Sequence, residues 1–148
     1  MQTSTAPILS QVHHVKSAAR EAALQFLYQC EAERMNHLSE SAYSDFCIFL
    51  GLRPKVAQRA REILEAVFLN YAAIDDLIRK HSQNWTLERM PAVDRSVLRV
   101  TLAEIFLKDT PNFVVLDESV ELARRFGTDT SSKFVNGVAD SALKEMIS

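Results

Sequence analysis

Residues 91–108 read PAVDRSVLRVTLAEIFLK. Pro91 suits the opening of a helix, where a missing N–H costs nothing. Val97, Leu98, Val100, Leu102, Ala103, Ile105, Phe106 and Leu107 then leave almost no polar face. A helix that is apolar all round is the buried centre of a bundle. Glu104 stands inside this run and must be paired or reach the surface, because an unpaired buried carboxylate is costly. It has no nucleophile or metal-ligand companion, so a structural ion pair is the expected role.

Working toward the N-terminus, Val56, Ala60, Ile63, Val67, Tyr71, Ile74 and Ile78 repeat at helical spacing, which predicts one long helix from Pro54 to about Lys80. Residues 81–90 connect it to the central helix and carry the single tryptophan, Trp85. Tyr43, Phe46, Cys47 and Leu50 predict a helix over 40–50, with Gly51 as its stop. Ala19, Ala22, Ala23, Phe26, Leu27 and Cys30 form one face of a helix from about Ser17 to Met35. Tyr28 lies nearly opposite Cys30, so it packs on a neighbour or meets a partner. Residues 1–15 are short of large apolar side chains and are expected to be a flexible N-terminal arm, ahead of a helical domain over 16–148.

Toward the C-terminus, Thr110-Pro111 breaks the chain. A helix is expected over 113–126, ended by Gly127. Asp129 is expected to cap a last helix, with Thr130 and Ser131 in its first turn. Gly137 inside that helix costs about 1 kcal/mol relative to alanine, which predicts a close helix crossing there.

Composition agrees with an all-α helical bundle. The 148 residues are 47% apolar and 24% charged, with only three glycines and four prolines to break helices. No run approaches the ~18 apolar residues of a membrane span, and no secretion signal precedes residue 12. Cys30 and Cys47 lack CxxC spacing and read as reduced, buried thiols of a cytoplasmic protein. A net charge of −2 excludes a generally polyanion-binding chain, so any nucleic-acid contact needs a local patch.

Catalytic and metal chemistry find no support. His13, His14, His37 and His81 lack ligand spacing, and no glycine-rich phosphate cradle or nucleophile elbow occurs. Asp117, Glu118 and Glu121 read as a solvated helix face. No catalytic residue, metal or cofactor is therefore expected. Two regions combine cations, small polar groups and an aromatic. One holds His13, His14, Lys16, Arg20 and Gln25; the other holds Thr130, Ser131, Ser132, Lys133 and Phe134. A helix N-terminus suits phosphate, and an aromatic can stack on an unpaired base. Phe134 fits the core equally well on spacing alone.

Several strings resemble the NusB family of transcription antitermination factors. They are VDRSVLR at 93–99 with Glu104, VELA at 120–123, Phe126-Gly127, and KFVNGV at 133–138. The first-helix stretch from Ala19 to Tyr28, with Trp85 and Arg89, is also similar. Residues 35–82 match only in helical character.

The resemblance implies six to seven helices in two packed three-helix sub-bundles. It implies binding of boxA-type RNA in nascent ribosomal RNA, together with the ribosomal protein NusE, in an RNA polymerase antitermination complex with other Nus factors. It places Arg20 at the end of an RNA-binding arm, Lys133 and Phe134 on the RNA surface, and Tyr28 and Asp94 on the NusE-facing surface. The arm departs from the family's arginine-rich pattern, since His13, His14, Val15, Lys16 and Ser17 stand there. Some family members pair with themselves, so a homodimer competes for the partner surface.

Two other classes stay open at this point. One is the NusB-like N-terminal domain of a ribosomal RNA cytosine methyltransferase, which requires the chain to be a fragment. The other is a helical protein–protein module without nucleic acid.

Overall fold

A computed structural model describes residues 8–148 except residue 84, with side chains from His14 onward. Among the described residues there are seven α-helices and one short 3-10 turn: α1 (Ile8–Ala32), α2 (Glu40–Leu50), α3 (Pro54–Leu69), α4 (Tyr71–His81), the turn Leu87–Arg89, α5 (Ala92–Leu107), α6 (Asn112–Phe126) and α7 (Ser131–Ile147). The expected arm falls partly on residues 1–7, outside the described residues. Residues 8–15 belong to α1, which starts well before the predicted Ser17.

Local chemistry explains most of the boundaries. Ser39 caps α2, its hydroxyl accepting the Ala42 N–H at 3.3 Å. Gly51 closes α2 at φ 62°, and the Leu52 N–H returns to the Cys47 carbonyl at 3.0 Å. This is the left-handed end that glycine adopts without a Cβ penalty. Pro54 opens α3 at its first position.

The single helix expected over 54–80 is two. Asn70, at φ −110° and ψ 22°, separates α3 from α4. Its side-chain amide and its own N–H both donate to the Ala66 carbonyl, at 2.9 and 3.1 Å, which holds the chain at this end of α3. Apolar periodicity survives such a break because both pieces bury the same face. The expected Asp129 cap is also replaced. Thr130 is the residue before α7, and buried Ser131 accepts the Thr128 N–H at 2.9 Å. A Cβ on Gly127 would lie 2.4 Å from the Ser131 hydroxyl, so the tight α6–α7 junction requires glycine there.

The helices form two lobes. α1 packs on α3, and α2 is attached through the Phe26–Tyr43 and Phe26–Phe46 ring contacts and the Tyr43–Ala57 hydrogen bond; α6 packs on α7, with α4 against α7. α5 touches α1, α3, α4, α6 and α7, and is buried along nearly its whole length. The apolar run at 97–107 is thus the axis of the molecule.

The charged groups Arg95, Arg99 and Glu104 of α5 are matched by arginines and acids from both lobes, whereas buried Asp94 Oδ1 and Ser96 Oγ meet no hydrogen-bond partner among the described residues. Arg20 of α1 grips Glu104 with two hydrogen bonds of 2.6 and 2.8 Å, and Arg59 of α3 adds a third at 3.1 Å. Arg99 meets Asp75 of α4 through two bonds of 2.9 and 3.0 Å and lies over the Tyr71 ring. Arg95 and Arg99 both reach Glu31 of α1. These bonds satisfy charges that would otherwise be costly to bury.

Cys30 is buried, and burial followed by the nearby Glu33 pushes its thiol up to about 11. Cys47 is only half-buried, less than its stripe position implied.

Arg59 also chelates Asp109, just beyond α5, at 2.6 and 2.8 Å. The hydrogen bond from Arg59 holds the Asp109 carboxyl below its ordinary value of 3.8, against the opposing effect of burial. A depressed folded-state value means the stabilisation is complete above the ordinary value and lost as pH falls through the folded one. Wild type should therefore lose melting temperature below about pH 4 more steeply than Asp109→Asn. Parallel slopes in thermal melts from pH 7 to 3 would show that this pair does not contribute.

Candidate nucleic-acid interface

α1 runs alongside α6 in the same direction. Ser17 donates to Glu118 at 3.3 Å, and one turn on, Glu21 accepts from Arg125 at 3.1 and 3.3 Å. Gln25 is exposed a further turn along α1. Arg124 and Arg125 close α6, and Lys133 lies exposed in the first turn of α7. Among the described residues no hydrogen bond or ion pair engages Lys133.

Beside Lys133, Phe134 is half-buried against the core and meets Trp85 edge-to-face, ring centroids 6.4 Å apart. Phe134 thus serves the core with one part of its ring and a groove with another. Trp85 is held in place by Ser82, whose hydroxyl donates to the Trp85 carbonyl at 3.0 Å while the Trp85 N–H donates to the Ser82 carbonyl at 3.2 Å. The groove has a volume of about 360 Å³ and includes His81, Trp85, Lys133, Phe134, Gly137 and Ser141 in its lining. His81 shares a 2.7 Å hydrogen bond with Ser141 and lies 3.2 Å from Glu145. Lys80, bound to Glu145, lowers that carboxyl against the effect of desolvation, and the hydrogen bond from His81 lowers it further.

Other expected site residues are placed elsewhere. Arg20 is 2% exposed and committed to Glu104, so its guanidinium does not present itself to phosphate. Ser131 is buried under the α6–α7 turn and does not face the groove. Lys16 is half-buried, donating to the Thr110 hydroxyl at 2.7 Å and the Asp109 carbonyl at 3.2 Å. Thr110 shares a pocket with Met146 at the far end of α7, about 20 Å from Lys133 along that helix. Lys16 and Lys133 therefore do not form one patch. His14 is exposed; the side chain of His13 lies outside the described residues.

The two partner-surface residues also divide. Tyr28 is 47% exposed on α1, one turn before Glu31. Asp94 is 4% exposed, in the first turn of α5, where the helix dipole favours an acid. Reversing its charge would put a cation into a buried site at a positive helix end, so Asp94 is a poor probe of a surface contact. The periodicity at Val93–Leu98 did not reveal this because burial of the first turn comes from packing by other helices. Sequence reasoning passed over Arg124 and Arg125, although consecutive arginines immediately before a helix-ending Phe126-Gly127 were a usable signal.

The fold and this end of the molecule define an all-helical protein with an aromatic-walled groove edged by the exposed Lys133. The NusB family model matches residues 17–144, and the chain belongs to the NusB family. It is 41% identical over 133 residues to the transcription antitermination protein NusB of Desulfotalea psychrophila, covering 86% of this chain and 94% of that protein. The structure of T. maritima NusB superposes with a TM-score of 0.76 at 35% identity, covering 88% of this chain and 91% of that one. A structure of the antitermination factors NusB and NusE in complex with dsRNA superposes with a TM-score of 0.80 at 24% identity, covering 89% and 98%, which bears on the fold. Among the described residues no helix is long and apolar enough to cross a membrane.

Proposed function

We propose that this chain is a non-catalytic RNA-binding factor of the cytoplasm. With a NusE-type ribosomal protein it binds boxA-type RNA in nascent ribosomal RNA transcripts and promotes transcription antitermination. RNA polymerase and other Nus factors form the wider assembly. The observation that carries this reading is the groove between the end of α4 and the first turns of α7. There an exposed Lys133 stands beside a Phe134–Trp85 pair. Cations supply phosphate affinity, and aromatic faces accept unpaired bases.

Relatives matched across more than nine-tenths of their own length carry the antitermination name, which favours this reading over a methyltransferase domain. Tyr28, exposed above the Glu31–Arg95–Arg99 cluster, is the proposed NusE contact. A second copy of the chain is the competing occupant of that face.

The test is RNA binding by the chain with and without its NusE, on a boxA-type and a scrambled oligonucleotide, across a salt series. Lys133→Ala should weaken binding and reduce the log–log salt slope by about 0.7, the value for one lost phosphate contact on a single strand. Unchanged affinity and slope would remove the start of α7 from the interface. NusE binding without any RNA binding would leave a protein–protein module.

A further inference from the structure

Gly137 is placed where a helix has no use for glycine. It lies inside α7, where glycine is less favourable than alanine. A close helix crossing was the expected reason, and the structure does not provide one. A Cβ built on Gly137 meets nothing within 4 Å. Its backbone gives no reason either, since among the described residues the one glycine with positive φ is Gly51. Gly127 shows the contrast, because its missing Cβ makes room for Ser131. Neither packing nor conformation of this chain requires residue 137 to lack a side chain.

What lies over Gly137 is the groove. Trp85, 50% exposed, and Phe134 stand on it, His81 and Ser141 line it, and Lys133 sits at its margin. Its volume of about 360 Å³ is at the small end of ligand sites, suited to one planar group. The connection bearing Trp85 passes through Gln83, a non-glycine residue at φ 43°. Such a conformation persists only where the surroundings enforce it, here through the Ser82–Trp85 hydrogen bonds.

We propose that this groove is a slot for one unpaired RNA base, and that Gly137 lacks a side chain because the base occupies that space. The proposal rests on the RNA-binding reading above and specifies its site. The base stacks on Trp85, with Phe134 completing the aromatic wall. The hydroxyl of Ser141, oriented by His81, has hydrogen-bonding capacity left for its edge, and Lys133 meets the adjoining phosphate. Trp85 is then a binding residue and Gly137 determines what fits.

Trp85 is the only tryptophan in the chain, so its emission reports the slot directly. The full chain is titrated with a single-stranded boxA-type oligonucleotide. Binding is followed by anisotropy of a 3′ fluorophore, and Trp85 emission is followed with unlabelled RNA. Both signals should share one midpoint, and a series of single abasic substitutions should find one position whose loss abolishes the quench.

Gly137→Ala and Gly137→Leu place a small and a large group in the slot. Gly137→Ala should melt at or above wild type. Gly137→Leu should bind about 5- to 150-fold more weakly, the range expected for one stacked base, and lose the Trp85 quench.

RNA binding by wild type without any change in Trp85 emission would overturn the slot and leave the RNA-binding reading standing. So would wild-type affinity in Gly137→Leu. Absence of RNA binding by wild type, with and without NusE, would overturn that reading and the slot together. The wild-type emission and the Gly137→Ala melt keep the test decisive if Gly137→Leu folds poorly.

Discussion

Glu104→Ala is expected to cost about 3–5 kcal/mol of folding stability, the usual penalty for breaking a buried ion pair by removing one partner. The Glu104 carboxylate accepts three hydrogen bonds from two arginines on different helices. Without it Arg20 keeps only a 3.9 Å approach to Glu118, while Arg59 retains Asp109. Two buried guanidinium groups would then share only the partly exposed acids Glu118, Asp109 and Glu62, with no buried carboxylate between them. Against a typical total of about 5–15 kcal/mol, the loss is large enough to leave a substantial unfolded fraction at 37 °C. Urea denaturation reads it directly. Arg20→Met combined with Glu104→Met should cost less than Glu104→Ala alone, because no charge is left unpaired. A double variant as unstable as the sum of the singles would show that the network contributes through packing and not through charge.

Phe26→Ala should cost a comparable amount, about 3–5 kcal/mol. Phe26 is fully buried on α1, and its ring stands edge-on to Tyr43 at 5.3 Å and to Phe46 at 5.1 Å, both on α2. Few other attachments hold α2. The Tyr43 hydroxyl donates to the Ala57 carbonyl at 2.5 Å, and Glu40 pairs with Arg61 at the surface. Removing the shared ring leaves a cavity and frees α2 locally before the rest of the lobe. Hydrogen exchange should show α2 amides losing protection first, while α5 amides keep theirs until global unfolding. A loss below about 1 kcal/mol would mean that Tyr43 and Phe46 collapse into the space.

Much of this protein was legible in its sequence because burial leaves a periodic trace. The run at 97–107 identified the central helix, since only a helix contacted on every side needs no polar face. Gly51 and Pro54 identified a helix end and a helix start, because their backbone constraints act locally. The α3–α4 division escaped notice for the opposite reason. The break lies in the backbone angles of the single residue Asn70, and the apolar repeat runs across it undisturbed.

The candidate site was legible in residue type and not in exposure. Lys133, Phe134, Gln25 and Tyr28 were named and are exposed or half-exposed. Arg20, Ser131 and Asp94 were named for the same chemistry and are buried. An arginine that could meet phosphate can equally meet a buried glutamate. Which it does depends on a partner 84 positions away, and no local pattern records that distance.

The sequence by itself determined the helical class, the central helix, the need to pair Glu104, and the strings that resemble the NusB family. Each follows from local backbone preference or from the period of apolar residues. Only the tertiary structure decided that Arg20 and Arg59 answer Glu104, that Lys16 and Lys133 lie at opposite ends of α7, and that Trp85 meets Phe134 over Gly137. The physical reason is the range of the interactions. Helix formation is settled within a few residues, whereas ion pairs and grooves are made by side chains far apart in the chain, brought together only when the lobes close on α5.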